Sequence, residues 1–258
     1  MAGPPRRALD KSRNPTFKPR RPGATQRPLH VRPCPSHLRV YSRCLNAARG
    51  NDVIDLYTWP TPNGRKISIA LEEFGVDYEV HPVNIGKDEQ FAPAFLAISP
   101  NNKIPAVVDR GSGRSLMESG AILVWLADEH QRFRGDDWYE TLEWLMLQMG
   151  GVGPMLGQAH HFLRFNVGKA PYAEARYGDE AKRLYGVLDR RLADRAYLSG
   201  SYSIADMATW PWISRYEWQG IDWADYPNLK RWYLTIAERP AVEAGYDVPT
   251  HVNPIPIP

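Results

Sequence analysis

The sequence predicts an α/β domain in the order βαβ-ββα, followed by an all-α domain. Three observations predict it. A strand, a helix and a second strand fit into residues 53–83. A second run from residue 105 reads as a hairpin followed by a capped helix. Beyond residue 137 only helical periods occur.

Val53-Ile54-Asp55-Leu56-Tyr57-Thr58 is the first strand, closed by Trp59-Pro60-Thr61-Pro62. From Asn63 to Gly75 the apolar residues Ile67, Ala70, Leu71 and Phe74 fall at helical spacing, and Gly75 is a stop signal. Tyr78 to Val83 form the second strand, and the span from 53 to 83 is about the shortest that a parallel crossover allows. Ser99-Pro100-Asn101-Asn102-Lys103 is a loop ending in Ile104-Pro105. Ala106-Val107-Val108 then runs to a turn at Gly111-Ser112-Gly113, returns as Ser115-Leu116-Met117, and a helix starts at Ser119. Pro105 has no amide hydrogen, so it belongs at the head of a strand. Its bond to Ile104 is a candidate cis peptide, although trans is the commoner state of X-Pro bonds. Four strands in this order, with a proline opening the third, make a thioredoxin-like domain.

The helical half follows a polar linker at 132–137. Trp138 to Met149 predicts one helix, which Gly150-Gly151-Val152-Gly153-Pro154 is expected to interrupt, and Pro171 to Asp194 predicts another. Ser203-Ile204-Ala205-Asp206 is a capping box flanked by Tyr202 and Met207 as a hydrophobic staple. Tyr226-Pro227-Asn228-Leu229 opens the last long helix, which Arg239-Pro240 ends, and 247–258 alternates proline with Val or Ile as an extended tail. The expected organisation is a basic extension at 1–52, the thioredoxin-like domain at 53–131, the linker at 132–137, the helical domain at 138–246 and the tail at 247–258.

Of 258 residues, 43% are hydrophobic, enough for a sizeable core. No apolar run approaches a membrane span and no signal-peptide core is visible, so the expected location is cytoplasmic, without membrane partners. The net charge of +3 hides an asymmetry. Residues 1–52 carry twelve Lys/Arg against Asp10 and Asp52, leaving 20 basic and 27 acidic residues and a net of −7 in 53–258. A nucleic-acid reading would rest on the extension alone, and none is adopted. The extension is rich in Pro and Arg and lacks apolar period, so disorder is expected. Three readings of it stay open: a solvated basic arm, a targeting segment, or translation that really begins at position 53, where valine would correspond to an internal GUG start. The third is the preferred expectation. Both cysteines, Cys34 and Cys44, lie there, so the body has no disulfide and no thiol nucleophile of its own.

At this point the residues carry a family resemblance. The thioredoxin-like half with Ile104-Pro105 and Glu118-Ser119, joined to a helical half with Ser203-Ile204-Ala205-Asp206 and Arg239-Pro240-Ala241-Val242, resembles a cytosolic glutathione transferase. More narrowly, Thr61-Pro62-Asn63-Gly64, Ser99 to Pro105, and Gly153-Pro154-Met155-Leu156-Gly157-Gln158 followed by His160-His161-Phe162 resemble the bacterial Nu-class members, glutathione-dependent disulfide-bond oxidoreductases. The resemblance covers about 53–246.

It implies glutathione as co-substrate, no metal, a homodimer, and a small disulfide or electrophile as second substrate. Thr61 and Asn63 are the candidates for activating the glutathione thiol, since a donor at a helix N-terminus lowers a thiol pKa from its usual ~8.5. The ordinary alternative is that they only shape a turn and cap a helix. Ser119 at a helix start is the candidate for the γ-glutamyl carboxylate, Glu118 for the ammonium, and the Ile104 backbone beside Pro105 for the cysteinyl part. Gln90 and Lys103 are placed by the resemblance near the glycine carboxylate, and Arg176 as an arginine reaching glutathione from the neighbouring subunit. Tyr57 is the rival thiol activator, a role several classes give to a tyrosine near this strand's end. His160 and His161, about 100° apart on a helix, cannot share one ion, and Trp144, Trp210 and Trp212 are read as core. The leading expectation is a thiol-disulfide oxidoreductase, with peroxides as a further substrate class. A conjugating transferase and a non-catalytic interaction module are the alternatives.

Overall fold

The structure is a computed structural model that describes residues 53–258. The expectations for the extension, including Cys34, Cys44 and the start at position 53, lie outside the described residues.

Strand β1 (Ile54–Thr58) pairs parallel with β2 (Tyr78–Pro82) and antiparallel with β3 (Ala106–Asp109), and β4 (Arg114–Met117) pairs antiparallel with β3, giving the sheet order β2-β1-β3-β4. The hairpin turn is held by the Asp109 carboxylate, which accepts from the amides of Gly111 and Ser112. Helix α1 (Pro62–Phe74) stops at Gly75, whose φ of 67° lies in the left-handed region open to glycine. Helix α3 (Ser119–His130) begins at the expected residue. Between β2 and β3 lies a short helix that the periodicity did not reveal, α2 (Pro93–Ile98), too brief to show a period.

The two faces of the sheet differ. Alternation along β1 sends Ile54, Leu56 and Thr58 into the main core, and sends Tyr57 to the opposite face, beside a smaller cluster of Val83, Phe95 and Ala106.

The helical half contains α4 (Trp138–Leu147), α5 (Gly153–His160), α6 (Pro171–Arg191), α7 (Ile204–Ile213), α8 (Pro227–Ala237) and a short α9 (Pro240–Tyr246), which was not expected as a separate helix. The glycine run does not interrupt the first of these helices, which corrects the sequence expectation. The backbone continues from α4 through a π-helical turn at Gln148–Val152 into α5. A π turn shifts the hydrogen-bond ladder from i−4 to i−5 and releases an amide, so Pro154, with no amide hydrogen, is tolerated just beyond it. Helix α6 also ends three residues before the expected Asp194. The capping box is present: the Ser203 hydroxyl accepts from the Ala205 amide at 3.2 Å, and the Asp206 carboxylate accepts from the Ser203 amide at 3.0 Å.

One core runs through both halves, from Ile54 and Leu56 to Val242 and Tyr246. Helix α9 lies directly on α1, and a Cβ at Gly245 would come within 2.5 Å of the Ile69 backbone. Glu73 on α1 accepts two bonds from Arg239, at 2.6 and 2.7 Å. The linker takes part too, with Arg132 donating to the Phe74 and Glu73 carbonyls. Residues 247–258 have no regular structure but lie against the body: Val248 and Ile255 pack on the core, and the Tyr233 hydroxyl donates to the Pro256 carbonyl at 2.6 Å.

Candidate active site

The turn Trp59-Pro60-Thr61 lifts the chain off the end of β1 and starts α1 immediately. Thr61 is the N-cap, its Oγ1 accepting from the Gly64 amide at 3.2 Å. The cap uses the oxygen as acceptor and leaves the hydroxyl proton to be donated elsewhere. Gly64 permits the tight start: a Cβ there would overlap the Trp59 carbonyl and the Thr58 hydroxyl.

Asn63 stands two residues into the helix. Its Oδ1 accepts from the indole Nε1 of Trp212, on α7, at 3.0 Å. Bonding the oxygen leaves the two N–H donors of the amide pointing away from α7. Trp212 in turn stacks on His160, with ring centroids 5.5 Å apart, and Gly157 lets the indole lie close. Gln219 joins Nε2 of His160 at 2.8 Å, and burial, with the Arg215 charge, pushes the imidazole down to about 4. His160 is therefore a neutral packing residue at pH 7, and His161 beside it is exposed.

Ser119 opens α3 and is buried, while Glu118 before it is exposed and has a φ of 68°. Asn101 donates to the Glu118 carboxylate at 3.4 Å, tying the 99–105 loop to the start of α3. The Ile104–Pro105 bond is cis, with Pro105 buried and Ile104 half-buried. Lys103 is exposed, and its carbonyl accepts from the Ser99 hydroxyl at 2.9 Å. Gln90 is half-buried between α2 and β2. Its amide nitrogen is bound only to Asp88, at 3.4 Å, and its Oε1 is buried without a partner among the described residues. Arg176 is exposed on α6.

Thr61, Asn63, Glu118 and Ser119 thus stand at the neighbouring N-termini of α1 and α3, which pack together, and the loop carrying Lys103, Ile104 and Pro105 is tied to them through Asn101. No described contact joins Gln90 or Arg176 to that group. Tyr57 lies on the other face of the sheet, stacked on His81 at 4.7 Å and against Phe95, with its hydroxyl pKa raised by burial.

Sequence reasoning passed over two residues here. Trp212 was read as core, and its indole N–H was not paired with anything. Lys66 on α1 is buried, and its Nζ donates to Gln148 Oε1 at 2.7 Å and to Ser119 Oγ at 3.4 Å. The signal for Lys66 was visible: it precedes Ile67 and stands four residues before Ala70, so it falls within the apolar stripe of its helix.

On the exposed face, Asp55, Glu79 and His81 cluster closely enough to hold a metal ion. A cation is already there: the Arg110 guanidinium bonds both carboxylates, and His81 meets Asp55 at 2.6 Å. Among the described residues no helix is long and apolar enough to cross a membrane.

Comparison with known proteins identifies the family. Residues 52–128 match the family model "Glutathione S-transferase, N-terminal domain" and residues 154–240 match "Glutathione S-transferase, C-terminal domain". The chain is 50% identical over 198 residues to the Escherichia coli disulfide-bond oxidoreductase YfcG, covering 73% of this chain and 92% of that protein. Among solved structures it is similar to a Pseudomonas putida glutathione transferase with one glutathione disulfide bound per subunit, at 41% identity and a TM-score of 0.72, over 80% of this chain and 96% of that one. It is similar also to a Burkholderia graminis glutathione transferase with two glutathione molecules per subunit, at 41% identity and a TM-score of 0.72, over 81% and 93%. The sheet order, the helical half and both family models agree: this chain belongs to the glutathione S-transferase family.

Proposed function

We propose that the protein is a glutathione-dependent thiol-disulfide oxidoreductase, in which the reactive thiol belongs to the bound peptide. The observation that carries this is the donor pair at the start of α1. Thr61 and Asn63 both stand at one helix N-terminus with their oxygens used as acceptors and their donors left over, in a body without cysteine. Those donors and the helix dipole favour thiolate over thiol, and thiolate is the species that attacks disulfides. The peptide's γ-glutamyl carboxylate would be held by Ser119 and the amides of α3, its ammonium by Glu118, its cysteinyl backbone by Ile104 beside Pro105, and its glycine carboxylate by Lys103 and Gln90.

In the reaction the bound thiolate attacks one sulfur of a disulfide. A new S–S bond forms, the old one breaks, and the leaving thiolate takes a proton from solvent. A second glutathione thiolate then attacks the glutathionyl sulfur of the mixed disulfide, breaking that S–S bond to give glutathione disulfide and expelling the substrate's other half as a thiolate that takes a proton, so two glutathiones are oxidised for each disulfide reduced. Relatives holding glutathione disulfide, or two glutathiones, per subunit support a site with room for both partners.

The same thiolate would attack an electrophilic carbon or a peroxide, so the substrate comparison decides. Turnover of a small glutathione mixed disulfide well above that of an aromatic chloride is expected, and the reverse order would make the protein a conjugating transferase. No heat of glutathione binding in calorimetry would leave a non-catalytic module. The working form is proposed to be a homodimer in which Arg176 reaches the partner's glutathione. Light scattering should give twice the 29.3 kDa chain mass, and a monomer would remove the basis for that role.

A further inference from the structure

Lys66 is a buried cation without an anion. Its Nζ meets two neutral oxygens, Gln148 Oε1 at 2.7 Å and Ser119 Oγ at 3.4 Å, and no described carboxylate comes within ion-pair distance. Such an arrangement is costly unless something negative comes near, because an isolated ammonium loses its hydration on burial. Ser119, which this ammonium meets, opens α3 and is the residue assigned above to the γ-glutamyl carboxylate.

We propose that Lys66 is a positioning residue for the anionic end of glutathione: buried, bonded to Ser119 and Gln148 and without a carboxylate of its own, it gains its counter-charge when the γ-glutamyl carboxylate binds at Ser119. The proposal rests on the glutathione site assigned above.

The electrostatics around Lys66 are simple. Burial lowers its pKa to about 7, and Glu118, just ahead of α3, is the one charged group that raises it. The π-helical turn brings only the neutral Gln148 and Met149 toward this spot. The one acid of α7, Asp206, is engaged by the Leu198 and Ser203 amides and by the Trp232 indole. The neighbouring Arg65 turns to α9, its Nε donating to the Tyr246 carbonyl at 3.0 Å. A carboxylate arriving at Ser119 would therefore be the dominant new charge, and it favours the ammonium form. Ligand affinity should fall as pH rises above about 7, by up to tenfold per pH unit, until the pKa of the bound state is reached.

Calorimetric titration of the full protein with S-methylglutathione tests this, because the blocked thiol has no proton of its own to release. At pH 7.5, titrations in buffers of different ionisation enthalpy should show net proton uptake, and affinity should be about tenfold lower at pH 8.5 than at pH 6.5. Lys66→Met should bind more weakly at pH 6.5, with smaller proton uptake and a shallower pH profile than the natural protein, the remainder belonging to the ligand's own α-ammonium. Should that variant not fold, Lys66→Arg, whose charge does not titrate in this range, should show the same reduced proton uptake. Binding by the natural protein without proton uptake, or equal uptake by the Lys66 variants, overturns the proposal while leaving the glutathione site standing. No binding at any pH overturns both.

Discussion

The indole N–H of Trp212 and the side-chain oxygen of Asn63 meet at 3.0 Å across 149 residues of sequence. A tryptophan of the helical half thereby sets which end of an asparagine in the thioredoxin-like half is left for the proposed thiol contact. Because indole can only donate, the asparagine must present its oxygen to α7 and its N–H groups to the site.

Two substitutions separate orientation from donation. Asn63→Asp keeps an oxygen for Trp212 but replaces the donors with a negative charge, so disulfide-reductase kcat/KM should drop by about a hundredfold, as loss of a charge-assisted bond implies. Trp212→Phe keeps the ring against His160 but frees the amide to flip, and the loss should be smaller, about three- to tenfold. In both, steady-state kinetics should move much more than the calorimetric affinity for S-methylglutathione.

Thr61→Ala and Asn63→Ala should each lower activity about ten- to a hundredfold. Tyr57→Phe should stay within about twofold of the natural protein, since its hydroxyl lies across the sheet from α1. Stopped assays under identical glutathione concentrations suffice. If Tyr57→Phe is inactive and the other two are active, the activating residues are misassigned.

Lys66 also makes a prediction about stability. Its pKa is lowered from 10.5 in the unfolded chain to about 7 in the fold, so between those values the unfolded state binds more protons. Folding therefore becomes more favourable as pH rises from 7 toward 10, on account of this group. Denaturant unfolding of the natural protein and of Lys66→Met should show their difference shifting in favour of the natural protein over that interval.

Asp206 is a buried carboxylate that accepts from the amides of Leu198 and Ser203 and from the Trp232 indole, while burial pushes its pKa up to about 6. Asp206→Ala would leave four donors, the Ser203 hydroxyl included, without this acceptor, and stability should fall by roughly 4 kcal/mol or more, at about 1–3 kcal/mol for each orphaned group. A melting temperature lower by at least about 6 °C is expected from the usual scaling for a chain of this size.

The parts of the fold set by local chemistry were legible in the sequence. Gly75, the turn at Gly111-Ser112-Gly113, Ser119 and the box at Ser203 and Asp206 each mark a boundary through a bond or dihedral they make themselves. Elements without such a signal were missed: α2 is too short to show a period, and the glycines that suggested a break instead allow the π-helical turn to continue. The candidate site divides in the same way. Thr61 and Asn63 could be placed at the start of α1 because a helix start is a local event. The contacts of Trp212 and of Lys66 with Gln148 join residues 149 and 82 positions apart, and no spacing rule encodes them.

The seating of α9 on α1, where Gly245 allows backbone to touch backbone, also bears on how this protein can be taken apart. Residues 53–131 expressed alone would leave the α1 surface around Ile69 facing water and Glu73 without its arginine, so that fragment should be recovered in inclusion bodies. In the intact chain the two halves should melt in one calorimetric transition, with the turn at Thr61 and Asn63 lost at the same temperature as α9.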